Sequence, residues 1–206
     1  MQTWETNVFT ADTRDLDCET LVADLSADCL LRLARISHSG RRAQFILGRI
    51  LLRHALLRTF GPMADAWRLE AARGKPYLVG IGAPKISLSH SRHLVACALA
   101  PVPVGLDVEY CRERDYAALV AQMCGPIELH RFLSVPTAYR TEAFYRIWTR
   151  LESSFKLNGG YEATREACHT YFQPEPGFVG ALATHAGHPI RLVLHPRLRG
   201  EDEFKG

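Results

Sequence analysis

The stretch 104–109 alternates apolar residues with a glycine and two acids, and it constrains the fold more than any other part of the sequence. This period of two is typical of a half-buried β-strand, so the side chains of Asp107 and Glu109 leave the same face. Their Cα atoms would lie roughly 6.5–7 Å apart, which suits two carboxylates that converge on a hard cation such as Mg²⁺. We expect Gly105 to leave this face open.

A second stretch, 141–157, has the periodicity of an amphipathic helix and ends at Asn158-Gly159-Gly160, a helix stop signal. Its apolar stripe consists of Phe144, Ile147, Trp148, Leu151 and Phe155. Glu152 and Lys156 lie one turn apart along the border of that stripe, so we expect them to face a neighbouring element. A plainer interpretation exists for both stretches, with the acids as strand-end charges and Glu152–Lys156 as an ion pair worth about 0.2–0.5 kcal/mol.

A third group of residues favours a phosphate site. The stretch 86–91 is a short alternating strand that runs into the hydroxyl-rich Ser89-His90-Ser91. Upstream, Gly74-Lys75-Pro76 is a tight-turn signature that displays one lysine. Hydroxyls, backbone amides, a lysine and an imidazole are the groups with which proteins bind phosphate.

In chain order, these motifs resemble those of the 4′-phosphopantetheinyl transferases of the surfactin-synthetase-activating type. The matching pieces are Gly74-Lys75-Pro76, Ser89-His90-Ser91, Gly105 to Glu109, Trp148 to Lys156, and a basic helix at 41–49. The resemblance implies an enzyme that transfers the phosphopantetheine arm of coenzyme A to a serine of an apo acyl or peptidyl carrier protein. Adenosine 3′,5′-bisphosphate is released. The carrier protein could serve fatty-acid, polyketide or nonribosomal peptide biosynthesis.

The resemblance also implies a role for each matching residue. It places Mg²⁺, with Mn²⁺ as the alternative ion, on Asp107, Glu109 and Glu152. It assigns the binding of coenzyme A to Arg41, Lys75, Pro76, Ser89, His90 and Lys156. The catalytic residues are Glu152 and Lys156: Glu152 as the base that takes the proton of the attacking serine, directly or through water, and Lys156 at the phosphates.

Two positions depart from the family pattern. Leu151 stands where the family commonly has a lysine, and Gln44 stands where an arginine for the 3′-phosphate of coenzyme A is expected, a role that Arg41 could take over. Two alternatives therefore stay open. One is a catalytically impaired relative that binds coenzyme A or a carrier protein without turnover. The other is a magnesium-dependent phosphohydrolase or nuclease.

Composition favours a cytoplasmic enzyme. The 206 residues are 47% hydrophobic, enough for one substantial core or two small ones. No apolar run reaches the ~20 residues that span a membrane, the first residues do not resemble a signal peptide, and the six cysteines show no zinc spacing. The net charge of +3 argues against a nucleic-acid partner. We expect a monomer whose partners are coenzyme A and a carrier protein.

Helical and strand patterns alternate along the chain, which predicts an α+β fold. The predicted helices are 18–33, 44–60, 116–124, 127–134 and 141–157, and the predicted strands are 67–70, 85–89, 94–99, 104–109, 171–173, 177–184 and 190–195. The family resemblance implies a pseudo-dimer of two similar α+β halves, 1–109 and 110–206, with the active site between them. The last residues, 201–206, are predicted to be a loose polar tail.

Overall fold

The fold is α+β, as predicted, in a computed structural model that describes residues 4–72, 75–160 and 166–200. The strands are β1 Trp4–Asp12, β2 Arg68–Ala72, β3 Lys75–Val79, β4 Lys85–Ser91, β5 Leu94–Ala100, β6 Val104–Tyr110, β7 Ala167–Phe172, β8 Phe178–His185 and β9 Ile190–Leu194. The helices are α1 Ala27–Leu33, α2 Ser39–Phe60, α3 Tyr116–Leu133 and α4 Arg140–Asn158. The predicted turn residue Gly74 and the predicted tail 201–206 lie outside the described residues.

Two sheets form the centre of the molecule. The first sheet has the strand order β4-β5-β1-β9, the second sheet has the order β6-β8-β7, and β2 and β3 pair separately as a hairpin. Helix α2 packs on one face of the first sheet, and helix α4 packs on β6 and β8 of the second. No helix in the described part of the chain is long and apolar enough to cross a membrane.

The two sheets are joined by a shared apolar core. Leu94, Ala96 and Ala98 of β5 pack in one cluster with Leu106 and Val108 of β6. The opposite face of β5 packs against buried residues of α2 in a separate core. Strand β5 is therefore buried on both faces, which explains why its sequence is apolar throughout rather than alternating.

Most of the predicted elements are present, with instructive differences. The two predicted helices at 116–134 are the two parts of α3, which is interrupted at Gly125 (φ 77°) before Pro126. The single helix predicted for 18–33 is wrong, because a 3₁₀ turn at Cys18–Asp24 precedes α1, whose N-terminus is capped by Ser26. Strand β1 was not predicted. Lys75 and Pro76, expected in a turn, begin β3.

Strand pairing does not follow the predicted division at residue 109. That boundary falls inside β6, which pairs with β8 of the second sheet. In addition, β9 from the C-terminal part of the chain completes the first sheet by pairing with β1 in parallel. Each part of the chain thus contributes a strand to a sheet formed mainly by the other part. The arrangement of the two parts as a pseudo-dimer stays a prediction.

Candidate active site

The edges of the two sheets meet along β4 and β6. These edge strands run in the same direction and are joined through side chains: three serines of β4, which we call the serine ladder, accept hydrogen bonds from backbone N–H groups of β6. The N···O distances are 2.9 Å from Leu106 to Ser87, 3.2 Å from Val108 to Ser89 and 3.1 Å from Tyr110 to Ser91. The ladder satisfies backbone donors at a sheet edge that would otherwise be exposed for pairing.

Asp107 is a buried carboxylate beside this ladder, with a relative exposure of 4%. Its Oδ1 accepts hydrogen bonds from Nζ of Lys156 at 2.8 Å and from Oγ of Ser89 at 3.0 Å. Its Oδ2 is buried and has no hydrogen-bond partner among the described residues. Burial raises the pKa of Asp107 from 3.8 to about 6, although Lys156 and Ser89 act in the opposite direction. A cation bound at Oδ2 would therefore supply the partner that this buried oxygen lacks among the described residues.

The hydroxyl of Ser89 is saturated by bonds within the protein. It accepts hydrogen bonds from the backbone of Val108 and from Nζ of Lys156 at 2.9 Å, and it donates its proton to Asp107. A phosphate oxygen could bind this hydroxyl only by displacing one of these partners. Strand alternation directs the Ser89 hydroxyl to β6 and the His90 side chain to the opposite face of β4, and both residues line one cavity.

The three predicted metal ligands are only partly brought together. Glu109 lies two residues after Asp107 on β6, and its Oε2 accepts a hydrogen bond from Oγ of Ser91 at 2.6 Å. Glu152 is half-buried on α4, one turn before Lys156. Within the described ranges, a different group, Asp12, His93 and Glu175, is the one with ligand atoms within 4.8 Å of one another. The metal role of the predicted trio therefore stays a prediction.

The group around Asp12 is an ion-pair network. Nη1 of Arg197 lies 3.1 Å from Oδ2 of Asp12 and 2.5 Å from Oε2 of Glu175. Nη2 of Arg14 lies 2.6 Å from Asp12, and Nε2 of His93 lies 2.6 Å from Glu175. The carboxylates already have cationic partners, so this network ties the end of β1 to the β7–β8 connection without needing a metal.

Gly105 has a different role from the predicted one. A Cβ atom at this position would lie 1.9 Å from the carbonyl oxygen of Ser153 and 2.7 Å from the backbone nitrogen of Leu157. The face of β6 is therefore covered by α4 rather than open. Because Gly105 has no side chain, the backbone of α4 can contact β6 directly. This close contact brings Glu152 and Lys156 of α4 to the face of β6 from which Asp107 projects.

A basic cavity of about 420 Å³ lies between α2 and the other face of β4. Its lining includes Arg32, Arg35, Arg41, Arg49, Pro76, Ser89 and His90. Arg41, Pro76, Ser89 and His90 were predicted to bind coenzyme A, whereas Arg32 and Arg35 were not. The high density of arginines between residues 32 and 53 was the sequence feature that could have predicted this cavity. A solvent-exposed helix face would produce the same pattern, so the feature was not decisive.

Electrostatics in this cavity favour an anionic ligand. The pKa of His90 is lowered, first because the ring is partly withdrawn from water in the cleft and then by the charges of Lys156 and Arg41. The guanidinium of Arg49 lies over the ring of Phe45, 4.6 Å from its centroid, and its Nε is buried without a partner among the described residues. An anion in the cavity would meet several cationic side chains with which it could form charge-assisted hydrogen bonds.

The side chains of Gln44 and Lys75 each donate a hydrogen bond to a backbone carbonyl oxygen. Nε2 of Gln44 donates a hydrogen bond to the carbonyl oxygen of Arg92 at 2.6 Å, in the turn between β4 and β5. This bond gives Gln44 a structural role where an arginine was expected to bind phosphate. Nζ of Lys75 donates to the carbonyl oxygen of Lys156, which connects the β2–β3 hairpin to the last turn of α4.

Comparison with known proteins agrees with this arrangement. The family model of the 4′-phosphopantetheinyl transferase superfamily matches residues 103–174, from β6 into the connection after β7. The transferase AcpT of Salmonella typhimurium is 33% identical over 144 residues, which are 68% of this chain and 70% of AcpT. This chain belongs to the 4′-phosphopantetheinyl transferase superfamily. The predicted resemblance is confirmed.

Other 4′-phosphopantetheinyl transferases match over a similar range. HetI of Nostoc sp. is 31% identical over 154 residues, covering 72% of this chain and 65% of HetI. A transferase of Bacillus subtilis is 24% identical over 153 residues, covering 68% of this chain and 63% of the relative. The chain thus spans slightly less than two thirds of the length of these two superfamily members. Family membership alone therefore does not fix its activity, substrates or partners.

Proposed function

We propose that this protein transfers the 4′-phosphopantetheine arm of coenzyme A to a serine of an apo carrier protein, as a holo-[acyl-carrier-protein] synthase does. The observation that carries the proposal is Asp107, a buried and half-satisfied carboxylate at the meeting point of β4, β6 and α4, beside a cavity rich in arginines. Phosphoryl transfer needs two reactants held in line and the charge of the phosphates neutralised, and this arrangement offers groups for both tasks.

The donor set fits a divalent cation. Oδ2 of Asp107 is the unpartnered oxygen described above, and Glu109 on the same strand and Glu152 on the covering helix supply further carboxylates. Oxygen ligands of this kind suit Mg²⁺, and Mn²⁺ is the alternative. When bound, the ion would neutralise charge on the pyrophosphate oxygens of coenzyme A.

The cationic side chains would hold coenzyme A. Arg41 and His90 line the cavity and would contact its phosphates, and Lys75 with Pro76 would border the adenine. Nζ of Lys156 donates hydrogen bonds to Asp107 and Ser89 in this structure. An ammonium group has three N–H donors, so Lys156 would offer its third to a phosphate oxygen while it stays bound to Asp107.

The proposed reaction transfers one proton and releases one leaving group. The serine oxygen of the carrier protein forms a bond to the phosphorus that bears the pantetheine arm, while the bond from that phosphorus to the bridging oxygen breaks. Adenosine 3′,5′-bisphosphate leaves with that oxygen, and the serine proton passes to Glu152, directly or through a water. Lys156 would stabilise the negative charge on the phosphates.

The proposed transfer is tested by intact-protein mass spectrometry of apo carrier proteins incubated with this protein, coenzyme A and Mg²⁺. We expect a mass gain equal to the phosphopantetheine arm, and we expect a chelator to abolish it. If no carrier gains mass while calorimetry shows that coenzyme A binds, the impaired relative is favoured, and a large activation by Leu151→Lys would support that reading. Hydrolysis of coenzyme A without a carrier protein would favour the phosphohydrolase.

The protonation of His90 should change when coenzyme A binds. Its pKa is lowered in the free protein, so the ring is neutral at pH 7. A phosphate beside it favours the charged imidazolium and raises the pKa, so that the affinity for coenzyme A increases as the pH falls between the bound-state and free-state pKa values. NMR titration of the histidine ring with coenzyme A and with dephospho-coenzyme A would measure this. His195, stacked on Phe9, is the internal control.

A His90 pKa that stays the same with coenzyme A would remove this residue from the binding site. An equal rise with both ligands would place the ring at the pyrophosphate rather than at the 3′-phosphate.

A further inference from the structure

The serine ladder does more than join two sheets, because two of its three members also donate to the acidic pair on β6. A serine hydroxyl has one proton and two acceptor positions. Oγ of Ser91 accepts the N–H of Tyr110 at 3.1 Å, and its proton points to Oε2 of Glu109 at 2.6 Å.

Ser89 repeats this arrangement two residues earlier. Its Oγ accepts the N–H of Val108 and donates to Oδ1 of Asp107 at 3.0 Å, which leaves Oδ2 as the oxygen with no partner in the described part of the chain. Serines two residues apart on β4 thus hold acids two residues apart on β6. The register between the two strands sets both contacts at once.

We propose that Ser89 and Ser91 are positioning residues: each fixes one oxygen of its carboxylate, so that the other oxygen, Oδ2 of Asp107 or Oε1 of Glu109, is presented to a divalent cation. This inference rests on the proposed function. Neither serine hydroxyl needs to touch the cation. The effect of Ser91 on cation affinity passes through Glu109, and that of Ser89 passes through Asp107 and through Lys156, which also binds the Ser89 hydroxyl. Residues of this kind typically change metal affinity by about 10–100-fold.

Ser87 provides a matched control within the same ladder. Its Oγ accepts the N–H of Leu106 at 2.9 Å, as the other two serines do for their β6 partners. The β6 residue whose side chain would correspond to Asp107 or Glu109 at this level is Gly105, which has no carboxylate. The Ser87→Ala variant therefore measures how much one hydrogen bond of the serine ladder contributes to stability, without any effect on a carboxylate.

The experiment measures Mn²⁺ binding to the full chain by electron paramagnetic resonance, without and with coenzyme A, alongside thermal unfolding. We expect Ser91→Ala to weaken Mn²⁺ binding about 10–100-fold, while its melting temperature falls no more than that of Ser87→Ala. Ser87→Ala should bind Mn²⁺ like the wild type. Ser91→Thr keeps the hydroxyl and should recover the affinity.

Two results would overturn the positioning role while leaving the proposed transferase intact. One is a Ser91→Ala protein that binds Mn²⁺ as tightly as Ser87→Ala. The other is a Ser91→Thr protein that binds as weakly as Ser91→Ala, because the hydroxyl would then not be the cause. A wild-type protein that binds no Mn²⁺ under either condition would instead refute the proposed metal site, and the positioning role with it.

Discussion

Replacing Gly105 with alanine is expected to destabilise the protein by about 3 kcal/mol or more, at the upper end of what overpacking costs. The added Cβ would lie 1.9 Å from the carbonyl oxygen of Ser153 and 2.7 Å from the nitrogen of Leu157. Both atoms belong to the backbone of α4, so no side-chain rotation can relieve the overlap, and the helix must move away from β6. Urea unfolding of the purified variant, followed by circular dichroism, measures the change.

Gly160→Ala is the matched control for this experiment. No atom lies within 4 Å of a Cβ built at Gly160, which follows the end of the same helix. We expect its unfolding midpoint to stay close to that of the wild type. A Gly105→Ala protein with the same midpoint would mean that α4 does not pack directly on β6, and the geometry of the candidate site would have to be revised.

Replacing Asp107 with asparagine is expected to reduce metal-dependent transfer by about 10²–10³-fold, the loss typical of removing one preorganised electrostatic contact from an active site. Asparagine keeps the size of the side chain, and its carbonyl oxygen can still accept the hydrogen bonds from Lys156 and Ser89 that Oδ1 accepts now. The variant should therefore fold. Single-turnover transfer to a carrier protein, at saturating coenzyme A, measures the loss.

The control variant is Asp115→Asn, which removes one negative charge from the same part of the chain. Asp115 caps the N-terminus of α3, where its carboxylate accepts the N–H of Ala118 at 3.1 Å, and asparagine caps a helix equally well. It should transfer at the wild-type rate. Full activity in Asp107→Asn would exclude this carboxylate as a metal ligand, whereas equal losses in both variants would point to net charge rather than to the site.

Local patterns were sufficient to predict the elements that carry the site. The stripe of apolar residues and the stop signal placed the helix at 141–157, and α4 extends from Arg140 to Asn158, ending before Gly159 at φ 78°. The alternation at 104–109 likewise predicted β6, including the shared face of Asp107 and Glu109. These elements could be predicted because the side chains that bury them recur with the period of the element itself.

Other features depend on contacts between distant parts of the chain. Strand β1 contains Thr6, Thr10 and Asp12, three polar residues that are fully or almost fully buried, so its sequence does not show the pattern of a buried strand. The role of Gly105 depends on the backbone of a helix about fifty residues later. The saturation of Ser89 likewise could not be predicted, because its partners lie on β6 and α4.

The parallel pairing of β9 with β1 bears on how the protein is made. Trp4 pairs beside Ile190, so the first sheet stays incomplete until nearly all of the described chain has left the ribosome. Until then β1, already paired with β5 on one side, presents an open edge that can pair with other nascent chains. Contacts between residues so far apart in sequence also slow folding. A translation product interrupted before residue 190 would carry that open edge permanently and would be prone to aggregate.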